Sequence, residues 1–421
     1  MGRLRSLDLE LEAVTPLWIG GADTQAELRP PSVRGCLRYW LRALLGGSLG
    51  EGLADLRAAE SAVYGGTTRA STVAVRMTGA PRTSVAVTDG DDQLPGLNYM
   101  FWSVFQRKRD AILPGERFQL RIQSRPLPLA TVEVAGRTLD MAGSFELAAA
   151  SLWLFLRLGG VGARARRGGG GVRVVGEAAG WPESLPALAS KAATPAELAA
   201  ELGAGIQRIR QVARWPDRPP GPGGPGSPQS PQAQPSSFDI LHERVCQIYV
   251  VERTFASWCE ALNWAGERFL AFRVEQRADA SGIAGLLTQG RLAVRTIQRA
   301  ILGLPIVFFF KSIFADLTAR GVDAREARRK ASATVAPARG QARASPLFFR
   351  VVPLAGQPGA WAVVIGLFRS RLLPDNEMTV RPNDSSMRPV RVEVPPDFAL
   401  LDKWFDYLKG QDVGLLAVAI Q

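Results

Sequence analysis

The chain has 421 residues, 46% of them hydrophobic and 21% charged, with a formal charge of +12. That much apolar material excludes a disordered chain and exceeds what one core comfortably holds, so two globular domains are expected. The 51 basic residues are six Lys and 45 Arg; a guanidinium fork suits phosphates and base edges, so a polyanionic partner is expected unless high-GC coding accounts for the arginine.

Cys36, Cys246 and Cys259 form no CxxC pair and no disulfide framework, which fits a reducing compartment. The start, MGRLRSLDLELEAV, lacks a signal-peptide core, and the apolar runs fall short of a membrane span, so a cytoplasmic chain with no membrane partner is expected.

In chain order, residues 3–13 (RLRSLDLELEA) alternate with period two and read as a strand. TPLWIGGAD (15–23) places Trp18 beside Gly, where it could stack a base or belong to the core. SVRGCLRYWLRALL (32–45) has helical spacing, with Ser32 as N-cap after Pro30 and Pro31. STVAVRM (71–77) and ERFQLRIQS (116–124) read as strands, and 79–115 as an ordered insertion around LNYMFWSVF. SFELAAASLWLFLRL (144–158) reads as an apolar helix ending at a Gly run, and GVRVVGE (171–177) as the last strand. This strand–helix–strand–strand–helix–strand order is the ferredoxin-like, RRM-like βαββαβ arrangement.

Residues 216–235, PDRPPGPGGPGSPQSPQAQP, hold eight Pro and four Gly and read as a disordered or polyproline-like connection. The expected organisation is an N-terminal domain over 1–180, a helical and Pro/Gly-rich linker or insertion over 181–240, and a C-terminal α+β domain over 241–421. Residues 1–180 hold 22 basic and 17 acidic residues, and 241–421 hold 24 and 17, so both domains are basic. In the second, 252–272, 290–302 and 397–409 look helical. Residues 305–310, 346–352, 361–368 and 413–420 look like strands whose order does not follow from the sequence.

Enzyme readings lack parts. The only His, His242, reads as a capping or surface residue at the start of a helical stretch and rules out a His pair or a two-His metal site, and Asp89, Asp91 and Asp92 sit in TDGDDQLPG, which has turn chemistry. No catalytic residue, metal or cofactor is expected. The stretch GGVGARARRGGGG (159–171) is neither a Walker A loop, since no Lys lies between 109 and 190, nor a dinucleotide turn, since it follows a helix and precedes a strand. It reads either as a Gly backbone that approaches a polymer while Arg164, Arg166 and Arg167 meet phosphates, or as a helix-ending loop with incidental charge. Arg34, Arg38 and Arg42 share one side of the first helix, and Gly35 opens its first turn to an anion; a solvated face is the alternative.

TPLWIGGAD, LRPPSVRGCLRYWLRALLGG, AAESAVYGGTTRASTVAVR and GGVGARARRGGGGV, in that order, resemble the RAMP superfamily, and within it the first-subunit family of type III-B CRISPR Cmr effector complexes. The likeness covers about the first 180 residues, carried by RPPSxRGxLRYWxRA and GGxGxRxRRG. LGLPI (302–306) and ARASPLFFR (342–350) are similar to the family's C-terminal RAMP domain. The Pro-rich segment and the GGGG ending depart from its pattern. The resemblance implies two ferredoxin-like RAMP domains, the second decorated with extra helices. It also implies a non-catalytic RNA-binding subunit that contacts the 3′ region of the guide RNA and/or the target RNA beside other RAMP subunits, with target cleavage left to another subunit. Arg34, Gly35, Arg38, Trp40 and Arg42 match the first-helix motif, and Gly160, Gly162, Arg164, Arg166, Arg167 and Gly168 the Gly-rich loop. Trp40 lies off the Arg stripe and is expected in the core. Trp18, Arg29, Arg343 and Ser345 complete the expected RNA-binding set. One rival is a RAMP endoribonuclease trimming guide precursors with His242 or Tyr39 as base. Another is an assembly cap whose basic surface meets acidic neighbours.

Overall fold

The computed structural model describes residues 4–20, 25–50, 52–85, 93–125, 131–215, 236–340, 342–356, 359–373, 375–411 and 413–420. The Pro-rich connection at 216–235, the turn holding Asp89, Asp91 and Asp92, and positions 21–23 of TPLWIGGAD lie outside the described residues. The chain divides into two compact units: Met1–Glu267, Leu347–Ser370 and Val413–Gln421 form the first, and Arg268–Pro346 with Arg371–Asp412 the second.

The first unit opens with β1 (Ser6–Ala13), α1 (Pro30–Leu49), α2 (Leu53–Tyr64), β2 (Val73–Thr78), β3 (Thr83–Val85), α3 (Pro95–Phe105), β4 (Asp110–Ile112), β5 (Arg117–Ser124), β6 (Val132–Val134), β7 (Arg137–Leu139), α4 (Met141–Leu158), β8 (Val172–Ala179), α5 (Pro195–Val212) and β9 (Cys246–Val251). The helix α6 (Trp258–Glu275) leads into α7 (Arg277–Gln289), a 3-10 turn (Gln298–Leu302), β10 (Ile306–Phe309), α8 (Lys311–Ala319), α9 (Ala324–Lys330) and β11 (Ser332–Pro337) of the second unit. β12 (Leu347–Pro353) and β13 (Trp361–Phe368) return to the first, β14 (Glu377–Pro382), β15 (Val390–Glu393) and α10 (Ala399–Lys409) to the second, and β16 (Leu415–Ala417) closes the first.

The first unit holds two antiparallel four-stranded sheets, ordered β2-β5-β1-β8 and β12-β13-β9-β16. Counted in chain order within each sheet, both read 2-3-1-4. The period-two pattern of β1 sends Leu7, Leu9 and Leu11 inward and Ser6, Asp8 and Glu10 outward, and sets Leu9 opposite Leu120 and Leu11 opposite Phe118. α1 and α4 pack against one another over this core. Asp140 caps α4 by accepting from the Gly143 N–H at 2.7 Å. α4 is long and apolar enough to cross a membrane by length and composition, but it is a buried core helix, with Phe145, Trp153 and Phe155 wholly inside; each such side chain contributes about 1.5–3 kcal/mol by leaving water. α5 crosses so close that a side chain on Gly205 would meet the Trp153 ring at 2.2 Å.

The second unit has one antiparallel sheet, β10-β11-β14-β15. Its inner face, including Phe308, Ala333, Val335, Met378 and Val380, packs with Ile283 and Leu286 of α7. Trp404 of α10 meets Phe269 and Phe272 at ring centroid distances of 5.2 and 5.4 Å.

Three expectations are corrected. Ser32 is not the N-cap: α1 begins at Pro30, whose fixed φ suits a first helical position, and Ser32 donates its N–H to Arg29 O at 3.0 Å. The expected helix over 290–302 is only the turn at Gln298–Leu302, because Gly290 ends α7 in a left-handed cap at φ +70. His242 sits in a turn before β9, not at a helix start.

Candidate nucleic-acid interface

The Gly-rich run is bonded throughout. Arg350 on β12 donates to Gly159 O at 3.0 Å, Leu156 O at 3.0 Å and Val172 O at 2.5 Å, taking up carbonyls where α4 ends and β8 begins. From there the loop folds on itself and on residues 15–18: Val161 N–H donates to Gly170 O at 2.9 Å, Gly170 N–H to Pro16 O at 2.9 Å and Ala163 N–H to Trp18 O at 3.0 Å. Thr15 threads it, donating its hydroxyl to Gly168 O at 2.8 Å while accepting from Gly171 N–H at 2.9 Å. Glycine is needed for close approach. Gly170 has φ +71, and a Cβ there would stand 1.9 Å from Val161 O; Gly162 has φ +88, and its Cβ would stand 2.4 Å from Trp18 O.

The three loop arginines divide. Arg166 is a tether: its guanidinium donates to Asp239 Oδ2 at 2.7 Å and Tyr39 Oη at 2.9 Å and lies 4.9 Å from the Tyr39 ring centroid. Arg167 lies 5.8 Å from the Phe349 ring centroid, and the Phe349 N–H donates to Arg166 O at 3.3 Å, so this part of the loop is stitched to β12. Arg164 stands apart, with a left-handed φ of 62 and no acidic partner among the described residues. Burial lowers its pKa, the Tyr99 phenol opposes this, and the like charge of Arg107 lowers it further.

The first-helix stripe divides too. Glu60 on α2, only 10% exposed, takes Arg38 on one oxygen at 2.5 Å and Arg42 on the other at 2.9 Å. Arg38 also donates to Gly65 O at 2.8 Å. Arg34 is exposed and unpaired among the described residues, and Gly35 beside it has open space around its Cα. α1 abuts the loop: the Cys36 thiol, pushed up to about 11 by burial and hence protonated, donates to Gly160 O at 3.6 Å. Gly168 has φ +85, and its Cβ would meet Leu262 at 2.4 Å.

Trp18 is 3% exposed and packs edge-on against Phe101 at 4.8 Å and Phe105 at 6.1 Å, so the structure places it in the core. Trp40 is also in the core, between Phe348 and Phe368. Arg29 donates to Gly20 O at 2.9 Å and pairs at the surface with Glu27 at 3.2 Å, a contact worth little. A Cβ on Gly20 would lie 3.5 Å from the Arg109 guanidinium. Arg107 and Arg109 were missed in the sequence; the signal was the run QRKR just after the expected LNYMFWSVF segment. Arg343 and Ser345 belong to the second unit. Arg343 pairs its backbone both ways with Leu304, joining LGLPI to ARASP, and its guanidinium donates to Leu372 O at 3.1 Å. Ser345 is buried, with its N–H 3.1 Å from where a Gly303 Cβ would sit.

The two candidate bases are unlike. Tyr39 is half-buried, and burial of its phenol pushes its pKa well above the ordinary value; it donates to Asp239 Oδ2 at 2.9 Å. His242 has its pKa lowered by burial and by Arg210, and its Nδ1 accepts from the Arg244 N–H at 3.3 Å. Among the described residues no group of three His, Cys, Asp or Glu side chains gathers that could hold a metal.

A family model for the RAMP superfamily matches residues 10–173. The chain is 30% identical over 181 residues to CRISPR system Cmr subunit Cmr1-2 of Pyrococcus furiosus, an alignment covering 39% of this chain and 92% of that protein. It is 30% identical over 177 residues to Cmr1-1 of the same organism, of which it spans 47%. The crystal structure of Cmr1 from Pyrococcus furiosus in its apo form matches with TM-score 0.57 at 19% identity, covering 98% of each chain. A chain of the type III-B Cmr-beta assembly, bound to cognate target RNA and AMPPnP in the presence of ssDNA, matches with TM-score 0.51 at 12% identity, covering 97% of this chain and 99% of that one. At those identities the two structures bear on the fold alone.

Proposed function

We propose, from the premise that this chain belongs to the Cmr1 family of RAMP-superfamily proteins, that it is the RNA-binding Cmr1-type subunit of a type III-B CRISPR effector complex. It contacts the 3′ region of the guide RNA and/or the target RNA, in the cytoplasm, beside other RAMP subunits and in antiviral defence. The observation that carries this reading is the set of cations left uncommitted around a tightly bonded loop: Arg34 and Arg164, with Arg107 close to Arg164 and Arg109 close to Gly20. Such cations meet phosphates, release counterions and leave sequence to guide–target pairing. Arg38 and Arg42 add charge already shared with Glu60. Trp18, Trp40, Arg166, Arg167, Gly160, Gly162 and Gly168 shape the loop.

The shared 2-3-1-4 order, with a helix after the first and third strands, supports reading both sheets of the first unit as ferredoxin-like. On that reading 1–180 is one RAMP domain, 181–240 a linker or insertion, and 241–421 a second RAMP domain decorated by the second compact unit, where Arg343 and Ser345 lie.

The subunit is non-catalytic on this account: Tyr39 is locked by Asp239 and Arg166, and the Nδ1 of His242 is taken up by the Arg244 N–H. To test it, 4-thiouridine-labelled guide RNA is crosslinked to the full chain with heparin as competitor. Crosslinks within 29–42 and 159–171 that survive heparin are expected. Displacement by heparin with no such crosslinks would instead favour the assembly-cap reading.

A further inference from the structure

The second unit has an outer sheet face that its own core does not use. Along β10, Ile306 and Phe308 turn inward while Val307, 63% exposed, and Phe309, 38% exposed, turn outward. The register sets Val307 opposite Thr334 and Thr334 opposite Arg381, so that one row across three strands is apolar, hydroxyl and cationic in turn. The α8–α9 pair stands over the edge of this face, and α8 buries no residue of its own. Between them lies a cleft of about 670 Å³ floored by Val307 and Phe309 and walled by Arg325, Arg328 and Arg329.

The charges of that wall are uneven. Asp323 is spent capping α9, accepting from the N–H groups of Arg325 and Glu326 at 2.9 and 3.2 Å, and Glu326 pairs with Lys330 at 2.8 Å. Among the described residues no carboxylate pairs with Arg325 or Arg328. Arg328 instead lies 5.1 Å from the Phe309 ring centroid, a guanidinium stacked on an exposed aromatic. Asn383 and Ser332 add amide and hydroxyl groups to the lining. An exposed aromatic with a guanidinium over it and hydrogen-bonding side chains beside it is a platform for unpaired bases.

We propose that this face is a second binding site for single-stranded RNA, carried by the second unit and independent of the Gly-rich loop. Bases stack on Phe309 and the Arg328 guanidinium, and phosphates meet Arg325 and Arg381.

The test is 4-thiouridine crosslinking of the full chain with a single-stranded 20-nucleotide oligouridylate, with peptides mapped by mass spectrometry. Affinities are measured for wild type and for Phe309→Leu and Arg328→Lys, which keep apolarity and charge but remove the planes. Crosslinks within 306–334 and a weakening of about fivefold or more in each variant are expected, with crosslinks at 159–171 unchanged. Crosslinks confined to 159–171, with both variants binding like wild type, overturn this site and leave the proposed function standing. Loss of all RNA binding by wild type overturns both. Displacement of RNA from 306–334 crosslinks by polyglutamate but not by excess oligouridylate would assign the face to an acidic protein and also overturn the proposal.

Discussion

Arg350 donates to the carbonyl of Gly159 at 3.0 Å, so a cation on β12 in one sheet fixes the start of a loop that leads into β8 of the other. Burial lowers its pKa to about 9, with the like charge of Arg157 adding to the effect, and three carbonyls share its donors. Arg350→Met keeps the bulk and removes every donor. Leaving buried carbonyls unsatisfied costs about 1–3 kcal/mol each, so thermal unfolding of the variant should fall by several degrees. Arg350→Lys should not rescue it, because one ammonium cannot span three acceptors.

Glu60 is the acid that keeps Arg38 and Arg42 from being a bare stripe. Glu60→Gln should lower stability by about 1–2 kcal/mol while tightening RNA binding and steepening its salt dependence, because two guanidiniums are released together. Equal affinity in wild type and variant would mean that neither arginine reaches RNA.

Two glycines separate packing from access. Gly170→Ala would place a methyl 1.9 Å from Val161 O at φ +71 and should cost more than about 2 kcal/mol. Gly35→Ala meets nothing and should stabilise α1 by about 0.5–1 kcal/mol. Weaker RNA binding by that stabler variant, measured by fluorescence anisotropy, would place RNA against the first turn of α1.

Much of the first half was legible, because alternation in β1 and the apolar run of α4 are periodic signals that burial then satisfies. α2 was missed: LADLRAAESAVY is short, has no side-chain cap and buries little but Ala, Leu and its last turn. With it Glu60 was missed, and so was its pairing with two of the three arginines of the stripe. The Gly-rich loop was found by composition, but its arginines could not be sorted, since Asp239 and Tyr39, which hold Arg166, come from positions far along the chain. The strand order of the second sheet was beyond reach for the same reason, its strands being joined across long insertions.

His242 supplies a pH test. Burial, with Arg210 nearby, holds its pKa below the ordinary 6.5, so in acid the unfolded chain takes up a proton that the folded one refuses. The associated stability is complete above 6.5 and is lost as the pH falls through the window below it. His242→Gln, neutral throughout, should therefore lose less stability than wild type between about pH 7 and pH 5 in parallel melts. The same variant should leave RNA intact to the same extent as wild type, since His242 is not a catalytic base on this account.

The central claim, that cations left free around the Gly-rich loop hold RNA phosphates, is tested most directly by the salt dependence of RNA binding in an Arg34→Gln, Arg164→Asn double variant. Asn tolerates the left-handed backbone at 164, and neither side chain has an acidic partner among the described residues, so folding should be preserved. The slope of log K against log salt should fall by about 0.7 for each phosphate that is no longer neutralised, roughly 1.4 in all, with affinity weakened alike across RNA sequences. A folded double variant with the affinity and slope of wild type would contradict it.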